Sequence, residues 1–465
     1  MTKQAPNLWM MRFNTEYEFG IVENIIKKDI NVSLILGNFQ TRELLNKLKN
    51  KHQVHTEFID SNEAMALKFE KINNKNFKNK ASFFFKKKLY KTFYTTLQVM
   101  ERYERYSGEL SFEERNYIIY KQVEFWQTKI EEKKPTSIIF FDVPHQYYEQ
   151  IILAICEEKK IPCLFLSNSI DNTLFINNKH QLVSGYGGKK FSEINNEYFK
   201  KVNQDLNSPK KFKHPNKVPV SISHLLKQFF KIPYHFFFNR KKDYNRGSFI
   251  KKNYFEFGFN NFFNQSVNLF LYNWNCLKLR LLYNKISRKA DYESDFVYMP
   301  LVGGFECTLH PVCSPLNYFI IIDHLTNILP ENCNIYIRDH PAQFLFRYHQ
   351  RFARSKEFYL KINKMKRVKF IDINENHYRL ISKSRFVVGS SASSVVIESV
   401  ALKKNYKFYG FPRYFSQYVE PLFNIDSDIP FYDADAYHEE SKYRNKHSDP
   451  VTLANKIILW AQDNL

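Results

Sequence analysis

Hydrophobic positions in the first third of the chain fall into short unbroken runs at Leu8–Phe13, Val32–Gly37 and Val54–Ile59, each of strand length. Between the first two runs, Phe19, Val22, Ile25 and Ile26 recur at helical spacing. The spacing is again helical from Lys86 to Glu132. A buried strand is then predicted at Ser137–Phe141, an amphipathic helix over QYYEQIILAICEEKK, and another strand in IPCLFLSNS. Strands apolar on both faces that alternate with helices predict a parallel sheet covered on both sides. The alternation resumes after Ser294: FVYMPL, NIYIRDHP, VKFID, RFVVGSS and NYKFYGF read as strands, with helices in SPLNYFIIIDHLTNIL, HYRLISKS and SSVVIESVAL and a last helix over Thr452–Leu465. The expected fold is therefore α/β, with two Rossmann-like parallel-sheet domains facing across a cleft. Ligands of such sheets bind beyond the carboxyl ends of the strands.

The stretch between the halves differs in composition. It opens on KKFKHPNKVPV and continues with Phe and Tyr interleaved with Lys and Arg. The division expected is an N-terminal domain over 1–208, a basic aromatic linker or helical segment over 209–290, and a C-terminal domain over 291–465. The chain carries 69 Lys and Arg against 47 Asp and Glu, a formal charge of +22, which attracts phosphate-bearing partners. The interleaved segment suits an anionic membrane surface, where rings sit among headgroups and cations meet lipid phosphate. It could also stack bases, but no nucleic-acid module accompanies it and nucleic acid is not the expected partner. No run approaches the roughly 18 apolar residues of a spanning helix, and no signal peptide is expected at the N-terminus. The six cysteines form no CxxC pair, which speaks against a zinc site or a disulfide framework. A cytoplasmic protein, seated peripherally on the inner membrane face, is the expectation.

The residues that could carry chemistry all lie where strands end. Asn334–Ile337 delivers Arg338, Asp339 and His340 to the cleft before Pro341 turns the chain; a guanidinium and an imidazole there can bind a phosphate. After Gly389, read as loosening the turn, Ser390, Ser391, Ser393 and Ser394 lead into a helix. Their hydroxyls and the free amides of a helix start suit an anion, and Glu398 one turn on could reach ribose. Four serines exceed what capping needs. Beyond FVYMPL, Gly303 and Gly304 permit close backbone approach, followed by Glu306 and Thr308. In the first half, Asp142 and His145 of FDVPHQ end a strand. Glu306, Asp142 or His145 could activate an acceptor hydroxyl, and the residues alone do not choose among them.

Four features then point to a family: strand–PL–loop–E-x-T-x-x-P, strand–HP, V-x-F-I-D, and a Ser-rich turn before a Glu-bearing helix. They resemble the donor half of capsular and surface polysaccharide glycosyltransferases of the GT-B fold, over about 295–412, with a further patch at 136–167. The HP and SS motifs are similar to those of bacterial Kdo transferases and sialyltransferases. The acidic D/E-D/E-G motif of sialyltransferases has no counterpart in the N-terminal half. The resemblance implies an acceptor-binding first domain, a nucleotide-sugar-binding second domain and a last helix that packs back toward the first. It implies a CMP-activated ulosonic sugar as donor, a glycan or glycolipid as acceptor, and phosphate and nucleotide held by His340 and the serines Ser390 to Ser394. Neither a cofactor nor a metal is implied. The alternatives are a UDP-sugar transferase, a metal-dependent GT-A enzyme using Asp426 and Asp428 or Asp433 and Asp435, and a non-enzymatic membrane scaffold or nucleic-acid-binding protein.

Overall fold

The structure is a computed structural model that describes residues 5–13, 15–38, 41–52, 55–66, 92–93, 96–97, 99–100, 111–142, 144, 146–168, 173–177, 196–207, 221–238, 262–301, 318–344, 354–390, 393–409, 420–421 and 449–464. The first sheet is built from β1 (Asn7–Phe13), β2 (Asn31–Gly37), β3 (Glu57–Asp60), β4 (Ser137–Phe140), β5 (Cys163–Asn168) and β6 (Thr173–Asn177). Its six strands lie in the order β3-β2-β1-β4-β5-β6. All pairs are parallel except β5 with β6, an antiparallel edge that the strand–helix reading did not anticipate. The second sheet is built from β7 (Phe296–Pro300), β8 (Asn334–Arg338), β9 (Val368–Phe370), β10 (Val387–Ser390), β11 (Tyr406–Tyr409) and β12 (Glu420–Pro421). Its order β12-β11-β10-β7-β8-β9 is wholly parallel, and its strands, counted from β7, stand in the same arrangement as those of the first sheet. The protein is thus α/β, with two doubly wound sheets of dinucleotide-binding order.

Both central strands are buried on both faces, which explains their unbroken apolar runs. Around β1 the helices are α1 (Glu16–Ile26), α2 (Thr41–His52), α3 (Ser61–Ala66), α4 (Phe112–Lys133) and α5 (Tyr147–Lys159). Trp9 and Met11 of β1 point toward α4 and α5, among Trp126, Phe140 and Ile152. Leu8 and Met10 point to the other face, among Ile21, Ile25 and Leu45. The helices start where their caps allow. Thr15 with Glu18 and Ser111 with Glu114 form reciprocal capping boxes at α1 and α4.

The last helix, α13 in chain order (Pro450–Asp463), begins with Asp449 as cap and a proline in its first turn. It lies on α1, and Leu453, Ile457 and Trp460 complete the outer core of the first sheet. Gly20 makes this approach feasible, since a Cβ there would stand 3.0 Å from Pro450. The other helices are α6 (Asn196–Asn207), α7 (Ile222–Phe238), α8 (Phe262–Ile286), α9 (Tyr318–Ile328), α10 (Lys356–Asn363), α11 (His377–Lys383) and α12 (Val395–Ala401). The final turns of α8 belong to the second sheet, with Leu279 and Tyr283 in the core beside Val297 and Met299. The opposite face of β7 sends Phe296 and Tyr298 toward α11 and α12. No described helix is long and apolar enough to cross a membrane.

Candidate functional site

In the second sheet the chain leaves β7 for β8 on one side and β10 for β11 on the other, so the crevice of such sheets opens at the carboxyl ends of β7 and β10. Of the residues expected there, Gly303, Gly304, Glu306, Thr308 and Ser391 lie outside the described residues, as do Asp426, Asp428, Asp433 and Asp435. Arg338, His340, Ser390, Ser393, Ser394 and Glu398 are described.

Arg338 closes β8 and is buried. Its Nε and Nη2 donate to the Ile373 carbonyl at 3.2 and 2.7 Å. Among the described residues no carboxylate forms an ion pair with it, so this guanidinium stands as a buried positive charge. Asp339 corrects the expectation that it faces the cleft. Successive residues of an extended chain point to opposite sides, and Asp339 turns into the core, fully buried. There Oδ2 accepts from Tyr359 Oη at 2.6 Å and lies 3.4 Å from Arg354 Nε, while Oδ1 accepts from the His340 amide at 2.8 Å. Tyr283 Oη accepts from the Asp339 amide at 3.1 Å and donates to the Ile371 carbonyl at 2.7 Å. Arg354 is held between the rings of Tyr318 and Phe358. Asp339 is thus the anchor that fixes the turn carrying Arg338 and His340.

The His340 ring is half-buried. Burial pushes its pKa down to about 4, with neighbouring Arg338 and His377 adding to the effect and Asp339 and Glu398 opposing it. At neutral pH the imidazole is uncharged and offers one N–H donor.

His377, at the start of α11, is the residue the sequence reading missed. Its Nδ1 lies 2.8 Å from Tyr298 Oη and its Nε2 lies 2.8 Å from Glu398 Oε2. Burial pushes the Tyr298 hydroxyl up to about 12, so it remains protonated and can donate to Nδ1. Nε2 then carries the proton shared with Glu398, and the imidazole is fixed in one tautomer. Glu398 is buried and spends one oxygen on His377.

The serines lie where β10 passes into α12. Ser393 Oγ accepts from the Val395 amide at 3.3 Å, whereas Ser394, exposed at the helix N-cap, makes no capping bond. Ser390 is buried, and its carbonyl accepts from Tyr406 Oη at 2.8 Å. Gly389 does not loosen a turn. It lies within β10, and a Cβ there would stand 2.3 Å from Tyr406 Oη, so glycine is what lets that tyrosine brace the strand end. Helix α6, the last described element before α7, packs against α11 and α12. The Asn376 side chain, which caps α11, donates to the Leu206 carbonyl at the end of α6 at 3.2 Å.

At the equivalent point of the first sheet, Asp142 follows β4 and His145 lies outside the described residues. Arg12 occupies a left-handed conformation, φ 66°, within an irregularity of β1. Its Nη1 is 2.9 Å from Asp142 Oδ2 and its Nε is 3.3 Å from the fully buried Glu149. Asp142 therefore meets a guanidinium 130 positions away that only the pairing of β1 with β4 brings beside it.

The sequence matches no protein-family model and no curated protein. Solved structures with a similar arrangement include three of interest. The UDP-GlcNAc 2-epimerase of Neisseria meningitidis is 11% identical, with 99% of this chain and 100% of that chain covered and a TM-score of 0.21. The β-Kdo 2,7 transferase KpsC of Thermosulfurimonas dismutans is 12% identical, with 77% and 85% covered and a TM-score of 0.27. The calicheamicin glycosyltransferase CalG4 is 8% identical, with 99% and 94% covered and a TM-score of 0.22. Likenesses this faint carry no argument about this chain, whose fold class rests on its own strand order.

Proposed function

We propose that this protein is a glycosyltransferase that holds a nucleotide-activated sugar at the carboxyl ends of β7, β8 and β10 and transfers the sugar to a capsular or surface polysaccharide or a glycolipid. The observation that carries the reading is the buried Arg338 guanidinium, without a carboxylate partner among the described residues, beside two imidazoles and a serine turn at a sheet's switch point. Buried charges are normally paired, and a phosphate is the partner that this donor set suits.

In the reaction, the acceptor oxygen attacks the anomeric carbon and the bond from that carbon to the phosphate oxygen breaks. The electron pair passes to the phosphate, and the acceptor proton passes to a base. Arg338 and the neutral His340 offset the charge growing on the phosphate, a preorganised electrostatic role. Ser393 and Ser394 hold phosphate or nucleotide. Glu398 and Tyr298 keep His377 oriented at the edge of the site, and Glu398 is the carboxylate proposed to meet ribose. The base is Glu306, Asp142 or His145. Arg338 supplies the positive charge that a divalent cation supplies elsewhere, so no metal is required. A CMP-activated ulosonic sugar is the favoured donor because the HP and SS motifs resemble those of Kdo transferases.

The test is release of free nucleotide from CMP-, UDP- and GDP-activated sugars in the presence of surface-glycan acceptors and EDTA. Release from the CMP-sugar, abolished by His340→Ala in a protein that melts normally, is expected. Release from none of the donors would overturn the reading.

A further inference from the structure

Helix α7 is an amphipathic helix whose apolar face is turned outward. Its inward face is narrow: Leu225 is buried against Tyr272, Cys276 and Leu277 of α8, and Gln228 Oε1 accepts from Asn273 Nδ2 at 3.1 Å. Beside it Ile222, Leu226, Phe229, Phe230 and Tyr234 follow one another at i, i+4, i+7, i+8 and i+12, one continuous stripe that touches α8 where the Phe229 ring meets Phe270, with centroids 5.8 Å apart. All five are exposed, Ile222 at 65% and Phe230 at 72%. Next to the stripe around the helix stand Lys227 and Lys231, also exposed. The helix contains no Asp or Glu, and the stretch 239–261 that follows it holds six Lys and Arg against two acidic residues. A water-facing surface helix carries the opposite pattern, so this stripe calls for an occupant.

From this we infer that α7 is a membrane-docking helix, which lies in the headgroup region of an anionic bilayer with Phe229, Phe230 and their stripe among the acyl chains and Lys227 and Lys231 on lipid phosphate. Two observations select a bilayer over a second copy of the chain. A two-fold seam along this stripe would bring like-charged lysines of the two copies together with no acidic residue on the helix to offset them. An apolar stripe edged by cations and free of carboxylates complements a negatively charged headgroup layer. The inference does not depend on the donor site, so failure of either leaves the other standing.

The test uses the full chain, sedimented with vesicles of phosphatidylcholine alone or of phosphatidylcholine mixed with phosphatidylglycerol. Wild type is expected to bind the mixed vesicles and to lose binding as salt is raised. Phe229→Gln with Phe230→Gln should weaken binding at least about tenfold. Lys227→Gln with Lys231→Gln should weaken it roughly fivefold per lysine on mixed vesicles only. All these side chains are exposed, so an unchanged melting temperature certifies the fold of each variant. Wild type that ignores mixed vesicles, or a phenylalanine variant that binds them as wild type does, would overturn the inference. A change from dimer to monomer in the phenylalanine variant, without vesicle binding by wild type, would assign the stripe to self-association and equally overturn it.

Discussion

Replacing Asp339 by Ala should unfold the second domain more readily than any change in the crevice itself. The carboxylate is fully buried, accepts from Tyr359 and from the His340 amide, and stands 3.4 Å from Arg354 Nε as its counter-charge. Its loss leaves the Arg354 side chain, only 2% exposed, as a buried charge without its counter-ion. Breaking a buried pair from one side costs about 3–5 kcal/mol, whereas removing both partners costs much less because no uncompensated charge remains. For a domain of this size each kcal/mol moves the melting temperature by about 2–4 °C. Calorimetry should therefore show one endotherm lowered by about 6–20 °C in Asp339→Ala. Arg354→Met should do comparable damage, and the double variant should fall well short of the sum. Strict additivity in this cycle would refute the claim that Asp339 acts as an ion-paired anchor. Loss of activity in Asp339→Ala with no change in melting would return Asp339 to the crevice as a participant in the chemistry.

Three further outcomes are expected. Because His340 is held near pKa 4 in the folded protein and titrates near 6.5 when unfolded, the unfolded chain binds the extra proton between those values. The stability it contributes is then present above about pH 6.5 and is lost as pH falls toward 4, by up to about 3 kcal/mol. His340→Gln should flatten that part of the pH–melting curve, and an unchanged curve would contradict the burial of the ring. Ser393→Ala with Ser394→Ala should weaken donor binding while leaving acceptor binding alone, measured by separate titrations; equal weakening of both would make the turn a mere helix start. Gly389→Ala should lower the melting temperature by several degrees through collision with Tyr406, and Tyr406→Phe in the same chain should recover part of the loss, since it removes the oxygen that the new methyl meets. No recovery would place the strain elsewhere.

The two sheets were legible because their central strands are buried on both faces, which leaves apolar runs such as Leu8–Phe13 that no amphipathic helix would show. The edge strand β6 was not legible. It pairs antiparallel with β5 after a short connection, and nothing in the strand–helix alternation announces such a return. Arg338 and His340 were legible as residues delivered by a strand end, but Asp339 between them was misplaced. The period of two along an extended chain, applied to RDHP, would have sent it inward. His377 left no local signal. It is one histidine at the start of a seven-residue helix, and only the fold brings it to Tyr298, 79 positions away, and to Glu398, 21 positions away. Arg12 is hidden for the same reason, because its left-handed backbone and its reach to Asp142 are set by β1 lying beside β4. The stripe on α7 was visible as composition, whereas its outward direction depends on which face meets α8.

The most direct test of the central claim is the melting temperature of the purified protein in the presence of CMP, CDP, UDP or GDP. A ligand that binds only the folded state stabilises it by about 2.7 kcal/mol at a hundredfold excess over Kd, enough for a shift of several degrees. The account predicts a clear shift with CMP that disappears in both Arg338→Met and His340→Ala. A folded protein whose melting none of the four nucleotides moves would contradict it.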